Sequence, residues 1–196
     1  MISAAAYNLR HAFNPHGRDG RKVFWKHFLF VVLLNLLCAA LIMVPAFGSL
    51  IGDISANSNA LEASELEAAL LRDMAQTGLA KHLAQLGLGL GVMNIVLLSA
   101  SIIRRCHDAN LPGIILMVPL ALQLIWMFFA FGQLSKIDAT IERAAQARAV
   151  GQSATIDPAM IAQDMLGWIV VLIVILIGLA KSQPGPSRYG EGPVVL

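Results

Sequence analysis

The chain has 196 residues, of which 57% are hydrophobic and only 13% are charged, and its formal net charge is +2. Because soluble domains carry about 25% charged residues, this composition excludes an ordinary water-soluble domain and indicates a protein that lies in lipid. So small a net charge also gives no reason to expect a nucleic-acid partner.

Long uncharged stretches predict the membrane spans. A spanning helix needs roughly 20 apolar residues, since a hydrocarbon core of ~30 Å is crossed at ~1.5 Å per residue. Residues 28–51, 83–103 and 112–134 meet this length without a charged residue or a histidine. A fourth span is predicted over 159–180, because Asp157 followed by Pro158 is typical of a helix start. We therefore predict an all-α integral membrane protein, a four-helix bundle forming a single membrane domain over residues 1–196.

Two longer connections predict helical excursions outside the membrane, over 53–82 and 136–158. In the first, Asn59 and Glu62 resemble a capping box ahead of a helical apolar pattern. In the second, Ile137 and Ile141 continue the apolar stripe of the third span, which predicts that this helix extends beyond the bilayer until Gly151. The two excursions are expected to cover one another, and a partner-binding surface is the alternative.

Charge asymmetry predicts the orientation. The segment 1–27, the turn at 104–108 and the tail from 181 carry nine basic and three acidic residues, whereas the segments 53–82 and 136–164 carry five basic and nine acidic residues. Both termini and the short turn are therefore expected on the cytoplasmic side.

Inside the spans, three amide side chains lie at similar predicted depth, Asn35, Asn94 and Gln123. They could hydrogen-bond between helices, or they could line a polar path. The central parts of the spans hold no charged residue, which disfavours an ion-coupled pump. Glycine pairs at 48 and 52 and at 87 and 91 further predict a close approach of the first two spans.

The stretch that includes Cys106, His107 and Asp108 invites a catalytic interpretation. Adjacent side chains on a helix diverge, however, and a nucleophile and its base must converge within hydrogen-bond reach. The two cysteines and five histidines show no metal-ligand spacing, and no glycine-rich phosphate loop is present. We therefore expect no catalytic, cofactor or metal site, and no enzyme.

Three motifs carry a family resemblance. GRDGRKVFW at 17–25, RRCHD at 104–108 and SQPGPSRYGEGP at 182–193 flank the predicted spans in this order. Together they resemble the bacterial inner-membrane family called domain of unknown function 805, over roughly 17–50, 90–132 and 165–193. The resemblance implies a small multi-span protein of the inner membrane, with a function that is itself unassigned.

The same motifs predict a polar cluster on the cytoplasmic face. Arg18 and Arg21 are three residues apart, so on one helix they would share a face and could hold a phosphate or carboxylate. Asp108 could pair with one of them or with Arg188, and a flexible tail is the competing interpretation. The candidate residues are Arg18, Arg21, Trp25, Arg104, Arg105, His107, Asp108, Arg188 and Tyr189.

The leading functional prediction is a binding or assembly protein whose cluster holds an anionic lipid headgroup or a protein partner. A small channel or transporter is second, because of the three amides, and an enzyme is third. The expected partners are the lipid bilayer, anionic headgroups, and a protein partner or a second copy of the chain.

Overall fold

The helices follow the predicted order. The computed structural model describes residues 2–57, 71, 73–74, 76–150, 152, 158–190 and 192–194. Within these ranges there are isolated β-bridges but no strand, so the predicted all-α class is confirmed. A short 3-10 helix, Gly113–Leu116, precedes α4. The α-helices are α1 (Ile2–Arg10), α2 (Arg21–Asn57), α3 (Leu79–Asp108), α4 (Met117–Gln133), α5 (Ile137–Ala149) and α6 (Pro158–Leu179).

Four helical segments are long and apolar enough to cross a membrane, as predicted. They are Arg21–Val44, Leu79–Asp108, Gly113–Gln133 and Met160–Leu179, with mean hydropathy between 2.1 and 2.6. The first segment begins at Arg21, seven residues before the predicted start at Phe28. Backbone hydrogen bonds continue the helix through charged residues, which a search for apolar residues alone leaves out of the span. The fourth helix does begin at Pro158, the position that the sequence predicts.

The chain divides into two compact units. Unit 1 comprises 1–36, 90–127 and 164–196, and unit 2 comprises 37–89 and 128–163. Unit 1 contains an apolar core between α2, α3, the 3-10 helix and α6. The buried members of this core are Phe24, Ile102, Cys106, Leu116, Val174 and Ile177.

The turn after α3 is a Schellman motif. Leu111 donates its N–H to the Cys106 carbonyl at 2.8 Å, and Asn110 donates to the His107 carbonyl at 3.1 Å. Asn110 has φ of +57°, and asparagine tolerates this left-handed position better than most residues. Pro112 precedes the 3-10 helix that follows, and no side chain caps that helix.

The outer excursions are described only in part. Within unit 2, α5 lies in the segment 136–158, but it does not continue the helix of the third span. Leu134 and Lys136 donate their N–H groups to carbonyls three residues back, so a tight turn separates α4 from α5. The predicted capping box at Asn59 and Glu62 lies outside the described residues.

Glycine packing also differs from the expectation. A Cβ built on Gly91 would lie 3.0 Å from Gln123 Nε2 and 3.5 Å from Met127 Sδ, whereas one built on Gly48 meets no atom within 4 Å. Gly91 therefore brings α3 close to α4. Helices that are apolar around their whole circumference do not reveal from sequence which face meets which neighbour.

Candidate functional site

A group of buried charges lies in unit 1, where α2 begins and where α3 and α6 end. Its five residues are called the arginine cluster: Arg18, Asp19, Arg104, Arg105 and Asp108. Each is at most 1% exposed. Charged residues are almost never fully buried unless they are paired, so the partners of these side chains determine what the cluster can do.

Arg104 fastens the N-terminal segment to α3. Its Nε donates to Asp19 Oδ1 at 3.0 Å, and Nη1 donates to the His11 carbonyl at 2.9 Å. Nη1 also donates to the Asn14 carbonyl, and Nη2 donates to Asn8 Oδ1. Every nitrogen of this guanidinium group therefore has an acceptor within the chain.

Arg105 caps the end of α6. Its Nε donates to the Gly178 carbonyl at 3.3 Å, Nη2 donates to the Ala180 carbonyl, and Nη1 donates to Asp108. The last carbonyls of a helix lack partners within that helix and carry partial negative charge. A guanidinium group at this position therefore satisfies them and stabilises the helix end.

Arg18 and Asp108 hold the tail. Arg18 Nη1 donates to the Gly185 carbonyl at 2.7 Å, and Nη2 donates to the Gln183 carbonyl at 2.5 Å and to Asp108 Oδ1 at 3.3 Å. The backbone adds two contacts, from Gln183 N–H to the Asp108 carbonyl and from Val194 N–H to the Arg18 carbonyl. The described part of the tail is therefore hydrogen-bonded to Arg18 and to Asp108 at the end of α3.

Three arginines and two aspartates leave the cluster with one excess positive charge, which backbone carbonyls surround. Burial raises the pKa of the Asp19 carboxyl, while the Arg104 guanidinium and the Ser101 hydroxyl, 3.2 Å away, act in the opposite direction. The chain's own acceptors occupy every guanidinium nitrogen of the cluster except Arg18 Nε, which is buried without a partner. The cluster therefore links three segments of the chain to one another.

A second group of predicted residues forms a stack beside the cluster. The rings of His107 and Tyr189 are 3.9 Å apart and inclined by only 8°. The Arg188 guanidinium lies 4.6 Å from the centroid of the Tyr189 ring, and His107 Nδ1 is 3.3 Å from the Gly17 carbonyl. These contacts fix the tail against the end of α3, and they leave Arg188 exposed.

Two predicted residues do not join the arginine cluster. Arg21 is the first residue of α2 and is exposed, while Arg18 precedes the helix and is buried. The prediction that they share a helix face and jointly hold an anion is therefore wrong, because the helix begins after Arg18. Trp25 packs against the apolar core instead.

The three adjacent residues of the catalytic interpretation diverge, as expected. Cys106 lies in the apolar core, His107 stacks on Tyr189, and Asp108 is ion-paired. Among the described residues, no group of three or more His, Cys, Asp or Glu side chains could hold a metal ion.

The intramembrane amides contact one another only in part. Asn35 Nδ2 donates to Asn94 Oδ1 at 2.9 Å, and Asn94 Nδ2 donates back to Asn35 Oδ1 at 3.3 Å. Gln123 lies with Asn94 in the wall of a cavity of about 60 Å³, whose other lining residues except Ser99 are apolar. The reciprocal bond links α2 to α3.

Sequence reasoning missed three residues of the site. Asp19 is the one acidic residue in the basic segment 1–27, and this contrast with its neighbours is the sequence feature that could have indicated an ion pair. Asn8 lies in α1, a helix that we did not predict. Gly178 lets α6 approach α2, because a Cβ at this position would lie 2.7 Å from Phe24 Cε1.

A comparison with protein families identifies one match. The family described as protein of unknown function (DUF805) matches residues 12–191. The chain belongs to this family. The DUF805 match runs continuously through both outer excursions, so it is wider than the three blocks of motif resemblance. No curated protein and no solved structure matches the chain.

Proposed function

We propose that this DUF805 protein is a non-catalytic binding or assembly protein of the membrane, and that its binding surface is the cationic rim around the arginine cluster. The rim consists of exposed basic residues of unit 1: Arg10, Arg21, Lys22, Lys181 and Arg188. Its proposed ligand is an anionic lipid headgroup.

One observation carries this proposal. Asp19 and Asp108 are the acidic residues described at this end of unit 1, and both are buried in ion pairs. Burial removes these two negative charges from the surface but leaves the rim cations exposed. A cationic surface beside a bilayer attracts anionic headgroups.

Binding of phosphatidylglycerol tests the proposal. We expect the purified protein to retain phosphatidylglycerol in native mass spectrometry more strongly than phosphatidylcholine. Replacing three rim cations, by Arg21→Gln, Lys22→Gln and Arg188→Gln, should weaken binding by up to roughly two orders of magnitude, since each cation near an anionic surface contributes about 1 kcal/mol.

The matched control is Lys136→Gln with Arg143→Gln. Both are exposed cations of unit 2, near Asp138 and Glu142 in sequence, so they belong to a region of mixed charge. Their replacement should leave phosphatidylglycerol binding unchanged. Equal retention of the two lipids, or equal loss in the rim and control variants, would refute the proposal.

We also infer that the arginine cluster faces the cytoplasm of a bacterial inner membrane. The excess of basic residues in the three segments supports this orientation. A cysteine introduced at the exposed His16 should resist a membrane-impermeant maleimide in intact cells and react once the membrane is opened.

A small channel or transporter is the second candidate, favoured by the cavity beside Asn94 and Gln123. Solute flux through reconstituted protein that Asn94→Leu abolishes would support this function. Absence of flux through the unmodified protein would exclude a channel or transporter function.

A further inference from the structure

We propose that α1 is an interfacial helix, which lies on the surface of the bilayer with an apolar stripe inserted among the headgroups and upper acyl chains. The stripe consists of Ile2, Leu9 and Phe13. The inference does not depend on the proposed function, because it concerns apolar insertion and not the recognition of anionic lipid.

The first evidence is the direction in which α1 presents its side chains. Ile2 and Leu9 are seven residues apart, close to two helical turns, and helical turns continue the chain to Phe13. These side chains are 83%, 45% and 87% exposed. The buried face consists instead of Ala4, Ala5 and Asn8. A helix at a protein–water surface turns its apolar stripe inward, so this arrangement is the reverse of that expected in water.

The second evidence is the level at which α1 is held. Arg104 binds Asn8 Oδ1 and the carbonyls of His11 and Asn14. It lies four residues before the end of α3, which has 30 residues. Such a helix is ~45 Å long, about 15 Å longer than the hydrocarbon core. The uncharged stretch of α3, residues 83–103, is about as long as the core is thick and ends directly before Arg104. The charged end of α3 therefore reaches the headgroup region, and it carries α1 to the same level.

The third evidence is the charge that flanks the stripe. Arg10 follows Leu9 and is exposed, and Arg21 and Lys22 are exposed at the start of α2. Interfacial helices combine an apolar face with cations that reach the headgroups. The surface of the bilayer in which the protein is embedded fits both the apolar stripe and the cations beside it.

Spin-label accessibility tests the insertion directly. In a chain with Cys38→Ala, where Cys106 remains buried, a nitroxide would be attached to Phe13→Cys, or to His16→Cys as the matched control. His16 is also exposed but lies outside the stripe. Collision rates with oxygen, which partitions into lipid, and with a nickel chelate, which stays in water, would be measured in phosphatidylcholine bilayers.

We expect oxygen collisions to dominate at position 13, with a depth of about 5–10 Å below the headgroups, and nickel collisions to dominate at position 16. Nickel access at position 13 equal to that at position 16 would overturn the proposal. Low collision rates with both reagents, together with spin–spin broadening between chains, would show that the stripe contacts a second copy of the chain. That result would also overturn the proposal. Because both positions are exposed, unfolding temperatures equal to that of the unlabelled chain would verify the fold.

Discussion

Replacing Arg104 with Met is expected to lower the free energy of unfolding by about 3–5 kcal/mol, the cost of removing one partner from a buried ion pair. The change leaves the Asp19 carboxylate without its cation and Asn8 Oδ1 without its donor, in a site that is at most 1% exposed. Reversible denaturation in detergent micelles, followed by far-ultraviolet circular dichroism, measures the difference.

Two further variants distinguish the loss of the buried ion pair from the general effect of removing one positive charge. Arg21→Met removes an exposed arginine of the same segment, and surface substitutions usually change stability by within about 0.5 kcal/mol. Adding Asp19→Asn to Arg104→Met should recover part of the loss, since the stranded carboxylate becomes neutral. Equal effects of Arg104→Met and Arg21→Met would contradict a structural role for the cluster.

Replacing Gly178 with Ala is expected to separate α6 from α2 at a net cost of about 1–3 kcal/mol, the usual range for overpacking. The added Cβ would lie 2.7 Å from Phe24 Cε1 and 2.9 Å from Trp25 Cζ2. Phe24 is fully buried, so its ring has no open space to enter. The Gly178 carbonyl also accepts from Arg105 Nε, so the shift extends to the arginine cluster.

Gly132→Ala provides the matched control, because Gly132 also lies in a helix and its Cβ would meet nothing within 4 Å. Alanine is the better helix former by up to about 1 kcal/mol, so this variant should be neutral or more stable. The same denaturation experiment should therefore show a loss of stability for Gly178→Ala and no loss for Gly132→Ala. A neutral Gly178→Ala would show that the helices are not held in this close contact.

The four spans could be predicted because an uncharged run of about 20 residues has few alternatives in a lipid solvent. Most of the cluster could be located for a related reason, since RRCHD interrupts such a run. The Arg18–Asp108 ion pair is one of the predicted alternatives. The bond from Arg18 to Gly185 could not be predicted, because these residues are 167 positions apart and periodicity carries no information at that separation.

The errors have equally local causes. Arg18 and Arg21 were placed on one helix because spacing does not show where a helix begins, and α2 begins between them. Gly91 and Gly178 could not be assigned to their neighbours because α3 and α6 are apolar on nearly every side.

The central claim is that the arginine cluster ties the N-terminal segment, the end of α3 and the tail into one folded unit. Disulfide trapping between Gly20→Cys and Pro193→Cys, in membranes and with Cys38→Ala, tests it most directly. A Cβ on Gly20 would lie 3.5 Å from Pro193 Cβ, within the range for a disulfide. Gly192→Cys replaces Pro193→Cys in the control, since a Cβ at Gly192 meets nothing within 4 Å. We predict efficient cross-linking within one chain for the 20–193 pair and much less for the 20–192 pair. Failure of the 20–193 pair to cross-link, with both thiols reactive towards a maleimide, would contradict the account.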